Sequence, residues 1–375
     1  APTHKAINVL RRKLDAAGLS WVRGFDPTTW DHHAIITGTT AALLGISPVI
    51  SDDQGTEVRF GKSGRGLLKS IIPRLLVIDE VSMLALSDLM DLSRVAKTSG
   101  MQILIVGDSA QLPPVKKKAI PFEAFEHRAT LRKIVRQAEG SAIVEAAWAI
   151  RDGRPWGTVS GPGLVRVAKP AAAYLEQAEQ PGEKLEEQRS VFISYRNARV
   201  AAVNDACCRK LYGHGDGAFA PGELVLSESN LYQDGVLLVA NQDELLVEKF
   251  DEAHRDPVIG VPVRLRRLNA PHGSVTTHYL SPEDLANQQH PFNVELAARL
   301  ERAQRLQEEA KRNSCVDKER RVAWRSFFEW RDSTLLSFRH PFAITSHKSQ
   351  GSTYKAVYAD VADLAKFSRQ ALYVA

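Results

Sequence analysis

The sequence of 375 residues is poor in cysteine, with only Cys207, Cys208 and Cys315. Three cysteines give no paired disulfide framework and no CxxC metal spacing. A reducing interior, cytoplasmic by default, is the expected setting. No apolar run reaches the length of about 20 residues that spans a bilayer, so no membrane partner is expected. A charged n-region followed by an apolar stretch, the mark of a secretory leader, is also missing. Strong charge of one sign is absent too. Lys and Arg number 49 against 44 Asp and Glu, a net charge of +5. That balance permits a polyanionic partner without requiring one. Internal repeats and low-complexity tracts are lacking, which excludes solenoids and long disordered linkers.

What is present is ordinary globular material, 44% apolar and 25% charged, long enough for two or three domains. APTHKAINVLRRKLDAAG reads as a strand end running into a helix, with Ala6, Val9, Leu10 and Leu14 near one face and Gly18 as the stop. LLVIDE reads as a short, fully apolar strand of the kind buried in a parallel sheet. LSDLMDLSRVAKTSG then reads as a helix ending at Gly100, and MQILIVGD as a second buried strand. Strand, helix, strand with a short return is a βαβ unit, so the sheet is predicted parallel and doubly wound. Between these parts, residues 45–62 read as a β-hairpin around the turn-forming DDQG, inserted into the α/β domain.

A second α/β pattern starts near residue 126, where helical SAIVEAAWAIRDG leads through GLVRV to strand SVFISY and helix ARVAAVNDACCRKLYG. It breaks near Pro221, and residues 222–282 carry the short β-rich runs of a small barrel-like domain. Residues 293–330 are charged and helical with a thin stripe of Leu296, Leu300 and Leu306, which predicts a protruding helical hairpin. Afterwards FAITS and AVYADV return to the second α/β sheet.

Asp79 and Glu80 stand at the carboxyl end of the first apolar strand, the edge where open α/β sheets bind ligands. One carboxylate there can hold Mg²⁺ through water and substrate phosphates, and the other can orient a water for phosphoryl transfer. Alone, a DE pair is equally well two solvated residues at a strand end. The next strand decides between the two. LIVGDSAQLPPV also ends in an acid, Asp108, followed by Gln111, whose amide can sense a terminal phosphate, and by Pro113 and Pro114, which stiffen the loop.

With both strand ends in place, the sequence resembles the superfamily one helicases of the RecD and Dda branch, most closely the Dda-like helicases of phages. VIDEVSM resembles their Walker B motif and GDSAQLPPV their third motif. APTHKAINVL is similar to motif Ia, LRKIVRQAEGSAIVEAAWAIRDG to motif IV, ITSHKSQGSTYKAVYADV to motif V, and QALYVA to the start of motif VI. The resemblance implies an α/β fold of two RecA-like parallel-sheet domains, the P-loop NTPase fold. It also implies a β-hairpin pin insertion and an accessory domain of SH3-like β-barrel and helices. The implied boundaries are 1–125 for the first RecA-like domain, with the pin at 45–62. The second is 126–221 with 341–375, and the accessory domain is 222–340.

The implied activity is ATP-dependent DNA unwinding and translocation, 5′ to 3′, in replication, recombination or repair. ATP and Mg²⁺ are the implied cofactors. Single-stranded DNA and junctions with duplex are the implied partners of a monomeric motor in a bacterial or phage-infected cell, beside replication or recombination proteins. Asp79 would hold Mg²⁺ and Glu80 would polarise the attacking water. Gln111 would contact the γ-phosphate, and Arg136 would act as an arginine finger. Asp108, Gln350 and Gly351 would couple nucleotide state to DNA, and Thr3, His4, Thr345, Ser346, His347 and Lys348 would contact the strand. Phe60 near the hairpin end would stack on the last base pair, unless the hairpin packs on its own domain. Trp324, Phe327, Phe328 and Trp330 either stack bases or fill a core. A RecD-type subunit of an exonuclease complex and a non-catalytic DNA-binding remnant of the fold are the rival readings.

One part of such an ATPase is missing. G-x-x-x-x-G-K-[ST], whose amides and Lys cradle phosphates, does not occur. GTEVRFGKS, residues 55–63, has five residues between its glycines instead of four, sets Glu57 where phosphates would lie, and reads as a strand. By the resemblance the phosphate loop would lie before Ala1 and the motif VI arginine after Ala375, so the expectation is a fragment inactive by itself.

Overall fold

The computed structural model describes residues 4–23, 35–44, 46–50, 58–62, 74–114, 117–131, 140–233, 236–268, 273–334 and 336–375. Helix α1 (His4–Ala16) buries Ala6, Ile7 and Arg11, while Val9, Leu10 and Leu14 are only half-buried. The inward face is therefore turned from the one expected, because Arg11 is drawn in. Its Nε donates to Thr37 Oγ1 at 2.8 Å, and its guanidinium lies 4.9 Å from the Trp21 ring centre. Strands β1 (Trp21–Arg23) and β2 (Ile35–Thr37) pair in parallel, and a short helix α2 (Thr40–Leu44) follows. Strands β3 (Ile46–Ile50) and β4 (Val58–Lys62) form an antiparallel ladder with Phe60 opposite Pro48. The connection 51–57 and the side chain of Phe60 lie outside the described residues.

Strand β5 (Leu75–Ile78), helix α3 (Leu86–Ser99) and strand β6 (Gln102–Ile105) make a parallel pair with a helical crossover. Gly100, with φ +71°, ends α3 in the left-handed conformation that costs glycine nothing. Successive strand side chains point to opposite faces. Leu76 and Ile78 thus enter a core with Val81, Leu84, Leu89, Leu92 and Met101. The other face stays open, with Leu75 51% and Val77 52% exposed beside Leu104. The LLVIDE run predicts burial on both faces. The structure buries the α3 face alone.

The second parallel unit contains α4 (Ala142–Asp152), α5 (Pro170–Gln177), β7 (Ser190–Ser194) and α6 (Asn197–Leu211). An antiparallel region follows, with β8 (Leu224–Ser227), β9 (Leu231–Gln233), β10 (Val236–Val239), β11 (Glu244–Phe250), β12 (Val261–Arg267) and β13 (Ser274–Tyr279). After a short α7 (Pro282–Ala286) come the long helices α8 (Pro291–Arg312) and α9 (Asp317–Thr334), then β14 (Phe338–Arg339). Five of these strands form one sheet in the order β13-β12-β11-β8-β14, around Val225, Leu245, Val263 and Leu265. Among the described residues no ladder joins β13 to β14, so the sheet is open where a closed barrel was expected. Helices α8 and α9 pack through Leu296, Leu300, Ala303, Trp324 and Phe327. Trp324 and Phe327 therefore fill the hairpin's own core. Trp330 stacks on Phe292 at 5.1 Å, and the Phe328 side chain lies outside the described residues.

The chain returns through β15 (Ala343–Thr345), α10 (Ser346–Ser349), β16 (Ala356–Ala359), α11 (Val361–Phe367) and α12 (Arg369–Val374). These complete a parallel sheet, β15-β7-β16, with β7 at its centre. Alternation again sorts the faces. Val191 and Ile193 join a core with Ile344 and Leu364, and Phe192 joins one with Val200, Val203 and Cys207. Asn204 of α6 is buried and satisfies the backbone of Ala343 both ways, donating to its carbonyl at 3.1 Å and accepting its N–H at 2.9 Å. Among the described residues no helix is long and apolar enough to cross a membrane.

Asp363 fastens the carboxyl end of β7. It accepts from Ser194 Oγ at 2.6 Å, from the N–H of Tyr195 and Arg196 at 3.0 Å each, and from Arg196 Nε at 2.5 Å. Burial opposes its ionisation, but these donors outweigh it and bring the carboxyl down to about 2. A folded-state pKa below the unfolded value of about 3.9 gives stability that is present above that pH. It is lost as pH falls through about 2. Asp363→Asn is expected to cost about 2 kcal/mol in urea unfolding at pH 7. The gap from the parent should narrow as pH falls below about 4. A gap unchanged down to pH 2 would refute the assignment.

Candidate functional site

The site is built where β5 and β6 end. Glu80 follows β5 in the left-handed region, φ 54° and ψ 42°, which for a non-glycine residue costs on the order of 1–3 kcal/mol. Its surroundings hold it there. Its N–H donates to Asp79 Oδ1 at 2.9 Å, and the next N–H, of fully buried Val81, donates to Val106 O at 3.0 Å. The turn points the Glu80 carboxylate away from the strand axis, toward the second parallel unit. A Cβ placed on Gly351 would lie 3.9 Å from Glu80 Oε1.

On the neighbouring strand end, Asp108 Oδ1 accepts the N–H of Ala110 at 3.0 Å, and Gln111 N–H bonds Asp108 O at 3.1 Å. These turn bonds set the side chains of Asp108 and Gln111 along the same edge as Asp79 and Glu80. Gly107 lets the two strand ends approach. A Cβ there would meet Val81 Cγ1 at 2.8 Å and Val81 N at 3.0 Å.

The second unit closes over this edge. Gln350 Nε2 donates to Gln111 Oε1 at 2.6 Å and to Ser82 Oγ at 3.3 Å. Tyr373 of α12 donates its hydroxyl to Asp108 Oδ2 at 2.6 Å, and Arg151 of α4 stands 4.0 Å from Asp108 Oδ1. Burial, then the Asp108 carboxylate, push the Tyr373 phenol up to about 12, so it stays a donor at neutral pH. Leu112 packs among Ile150, Val191, Ile193 and Ile344, so a side chain of the first unit sits in the second unit's core.

Of the residues singled out from sequence, Asp79, Glu80, Asp108, Gln111, Gln350 and Gly351 thus meet at one cleft. Thr3 and Arg136 lie outside the described residues, as does the side chain of His4, the first residue of α1. Thr345 and Ser346 are buried at the start of α10, so contact with a strand there falls to backbone or needs rearrangement. His347 is half-buried with its ring 5.6 Å from Tyr195, and burial lowers its pKa, keeping the imidazole neutral. Lys348 pairs with Glu228 at 2.9 Å. Sequence reasoning missed Tyr373, Arg151 and Ser82. Tyr373 lies inside QALYVA, but nothing in that segment's pattern signals a bond to a residue 265 positions away.

Asp79, Glu80 and Asp108 supply hard carboxylate oxygens, a donor set that suits hydrated Mg²⁺ and not a soft metal. One Asp79 oxygen is taken by the Glu80 N–H, and the other makes no hydrogen bond among the described residues.

The AAA domain family model matches residues 1–162. An uncharacterized protein of Acanthamoeba polyphaga mimivirus is 32% identical over 115 residues, 31% of this chain and 22% of that protein. The chain therefore matches only about a fifth of that relative's length. A solved structure of the Pif1 helicase from Bacteroides is 17% identical, covering 100% of this chain and 83% of that one, with a TM-score of 0.36.

Gly107→Ala is expected to push Asp108 away from Glu80 and to cost about 1–3 kcal/mol in denaturant unfolding, as overpacking does. Unchanged stability would show that the strand ends do not need this approach.

Proposed function

We propose that this chain, whose residues 1–162 match the AAA domain family model, is the motor core of an ATP-driven DNA helicase. The observation that supports it best is the cleft itself. Two adjacent parallel strands end in Asp79 with Glu80 and in Asp108 with Gln111, and Gln350 of a second parallel unit bonds Gln111 directly. Asp79 would hold Mg²⁺, which when bound with the nucleotide would supply charge neutralisation at the phosphates. Glu80, turned out of its strand, polarises the attacking water. Gln111 meets the terminal phosphate, and Arg136 stabilises charge in the transition state. A phosphate oxygen at this edge is an acceptor and competes with Gln111 Oε1 for the Gln350 Nε2 donor, so occupancy of the nucleotide site is passed to the loop of Gln350 and Gly351. Beyond that loop, Thr345 to Lys348, with Thr3 and His4 of the first unit, meet the backbone of single-stranded DNA. Phosphate contacts of this kind fix position without reading sequence.

The proposed domains are 1–125, then 126–221 with 341–375, and an accessory domain at 222–340. The hairpin at 45–62, with Phe60, is the proposed strand-separating pin, and movement is 5′ to 3′. A non-catalytic DNA clamp is the main rival, and Glu80→Gln separates the two. In a version of the protein that carries a phosphate loop, this change should reduce DNA-stimulated ATP turnover by at least ~100-fold and leave single-strand binding within about twofold. The parent should unwind 5′-tailed but not 3′-tailed duplex. Turnover unaffected by Glu80→Gln would sink the motor reading, and a 3′-tail preference would sink the direction.

A further inference from the structure

Where α6 gives way to the antiparallel sheet, a side-chain cluster stands apart from the proposed cleft. Cys208 of α6, Asp216 in the loop after it and His340 just before β15 each place a ligand atom within 4.8 Å of the others. Cys208 and His340 are fully buried. His340 Nε2 lies 3.1 Å from Glu223 Oε2, and its Nδ1 lies 2.9 Å from Asp216 Oδ1. Glu223 is itself held in place. Its Oε1 faces His214 Nε2 at 2.7 Å, and its Oε2 accepts the N–H of Ala220 at 3.1 Å.

An imidazole that gives its Nε2–H to Glu223 turns the Nδ1 lone pair toward the Asp216 carboxylate. Lone pair against carboxylate in a buried site is repulsive unless a cation lies between them. That cation is a proton or a metal ion, and two features favour the metal. The first is Cys208. Its side chain packs in the α6 core, and among the described residues its sulfur makes no hydrogen bond, so Sγ is free to serve as a ligand on the face that meets Asp216 and His340. The second is Glu223. A carboxylate on the far nitrogen of a histidine is the arrangement that fixes a metal-ligating ring and raises its basicity. A bound dication deprotonates the thiol it ligates.

We propose that Cys208 Sγ, an Asp216 carboxylate oxygen and His340 Nδ1 bind one divalent cation of the zinc class, with Glu223 orienting His340. Mixed sulfur, nitrogen and oxygen donors suit zinc and exclude Mg²⁺ or Ca²⁺. The ion would staple the end of α6 to the segment that feeds β15, the strand leading into Thr345–Gly351. It would thus brace the second unit, and it does not depend on the helicase reading.

The test takes the 375-residue chain, strips it with chelator and titrates it with Co²⁺, then displaces Co²⁺ with Zn²⁺. One Co²⁺ per chain should bind with near-ultraviolet thiolate-to-cobalt absorption, and one Zn²⁺ should abolish that absorption. Cys208→Ser should remove the absorption. Glu223→Gln should weaken Zn²⁺ by about 10–100-fold. Asp216→Asn lies at a partly exposed position, so it serves if Cys208→Ser does not fold, and it should weaken Zn²⁺ at least as much. No thiolate absorption at saturating Co²⁺, or Zn²⁺ affinity unchanged in Asp216→Asn, would overturn the proposal and leave a proton as the bridging cation.

Discussion

The hydrogen bond from Gln350 to Gln111, 2.6 Å long, joins side chains 239 residues apart and brings the two parallel units edge to edge. Much else at the cleft depends on it. Buried N–H donors are costly unless paired, and the Gln350 Nε2 donors find acceptors on both loops that follow the first unit's strands, while its Oε1 is left without a hydrogen bond among the described residues. Ser82 follows β5 and Gln111 follows β6. Leu112, next to Gln111, is thereby carried into the second unit's apolar core. The bond is also replaceable, since the Gln350 Nε2 donor that serves Gln111 Oε1 can serve a phosphate oxygen instead. In the proposed motor this exchange converts nucleotide occupancy into movement of the Thr345–Gly351 segment.

Around that bond the strand ends carry local strain and crowding. Glu80 sits in left-handed backbone although it is not glycine, and Gly107 permits a contact with Val81 that no side chain would allow. Both features serve one geometry, in which two carboxylate-bearing loops share an edge. Tyr373 and Arg151 meet Asp108 from the second unit, so each loop of the first unit is answered by a group from across the cleft.

Much of this was legible in the residues. LLVIDE and MQILIV are short apolar runs around an amphipathic helix, and Gly100 supplies the stop, so β5, α3 and β6 follow from local rules. The adjacent acids at two neighbouring strand ends marked the cleft. What stayed hidden was set by partners distant in sequence. The outward face of β5 reads as apolar as the inward one, and only the tertiary arrangement shows that one is covered. Arg11 turned α1 because Thr37 and Trp21 lie across from it. Trp324 and Phe327 could stack bases or fill a core by spacing alone, and packing between α8 and α9 decides for the core. Cys208 and His340 lie 132 positions apart by their numbers (340 − 208), far from any metal spacing. Their meeting depends on β15 returning beside β7.

The most direct measurement is a double-mutant cycle on the bridging amides. In a version of the protein that carries a phosphate loop, DNA-stimulated ATP turnover is measured for Gln111→Ala, Gln350→Ala and the pair together. If the bond couples the units, each single change lowers turnover and the double loses little more than the worse single, an interaction of at least ~1 kcal/mol. Losses that simply add would contradict it, and the two amides would then act independently.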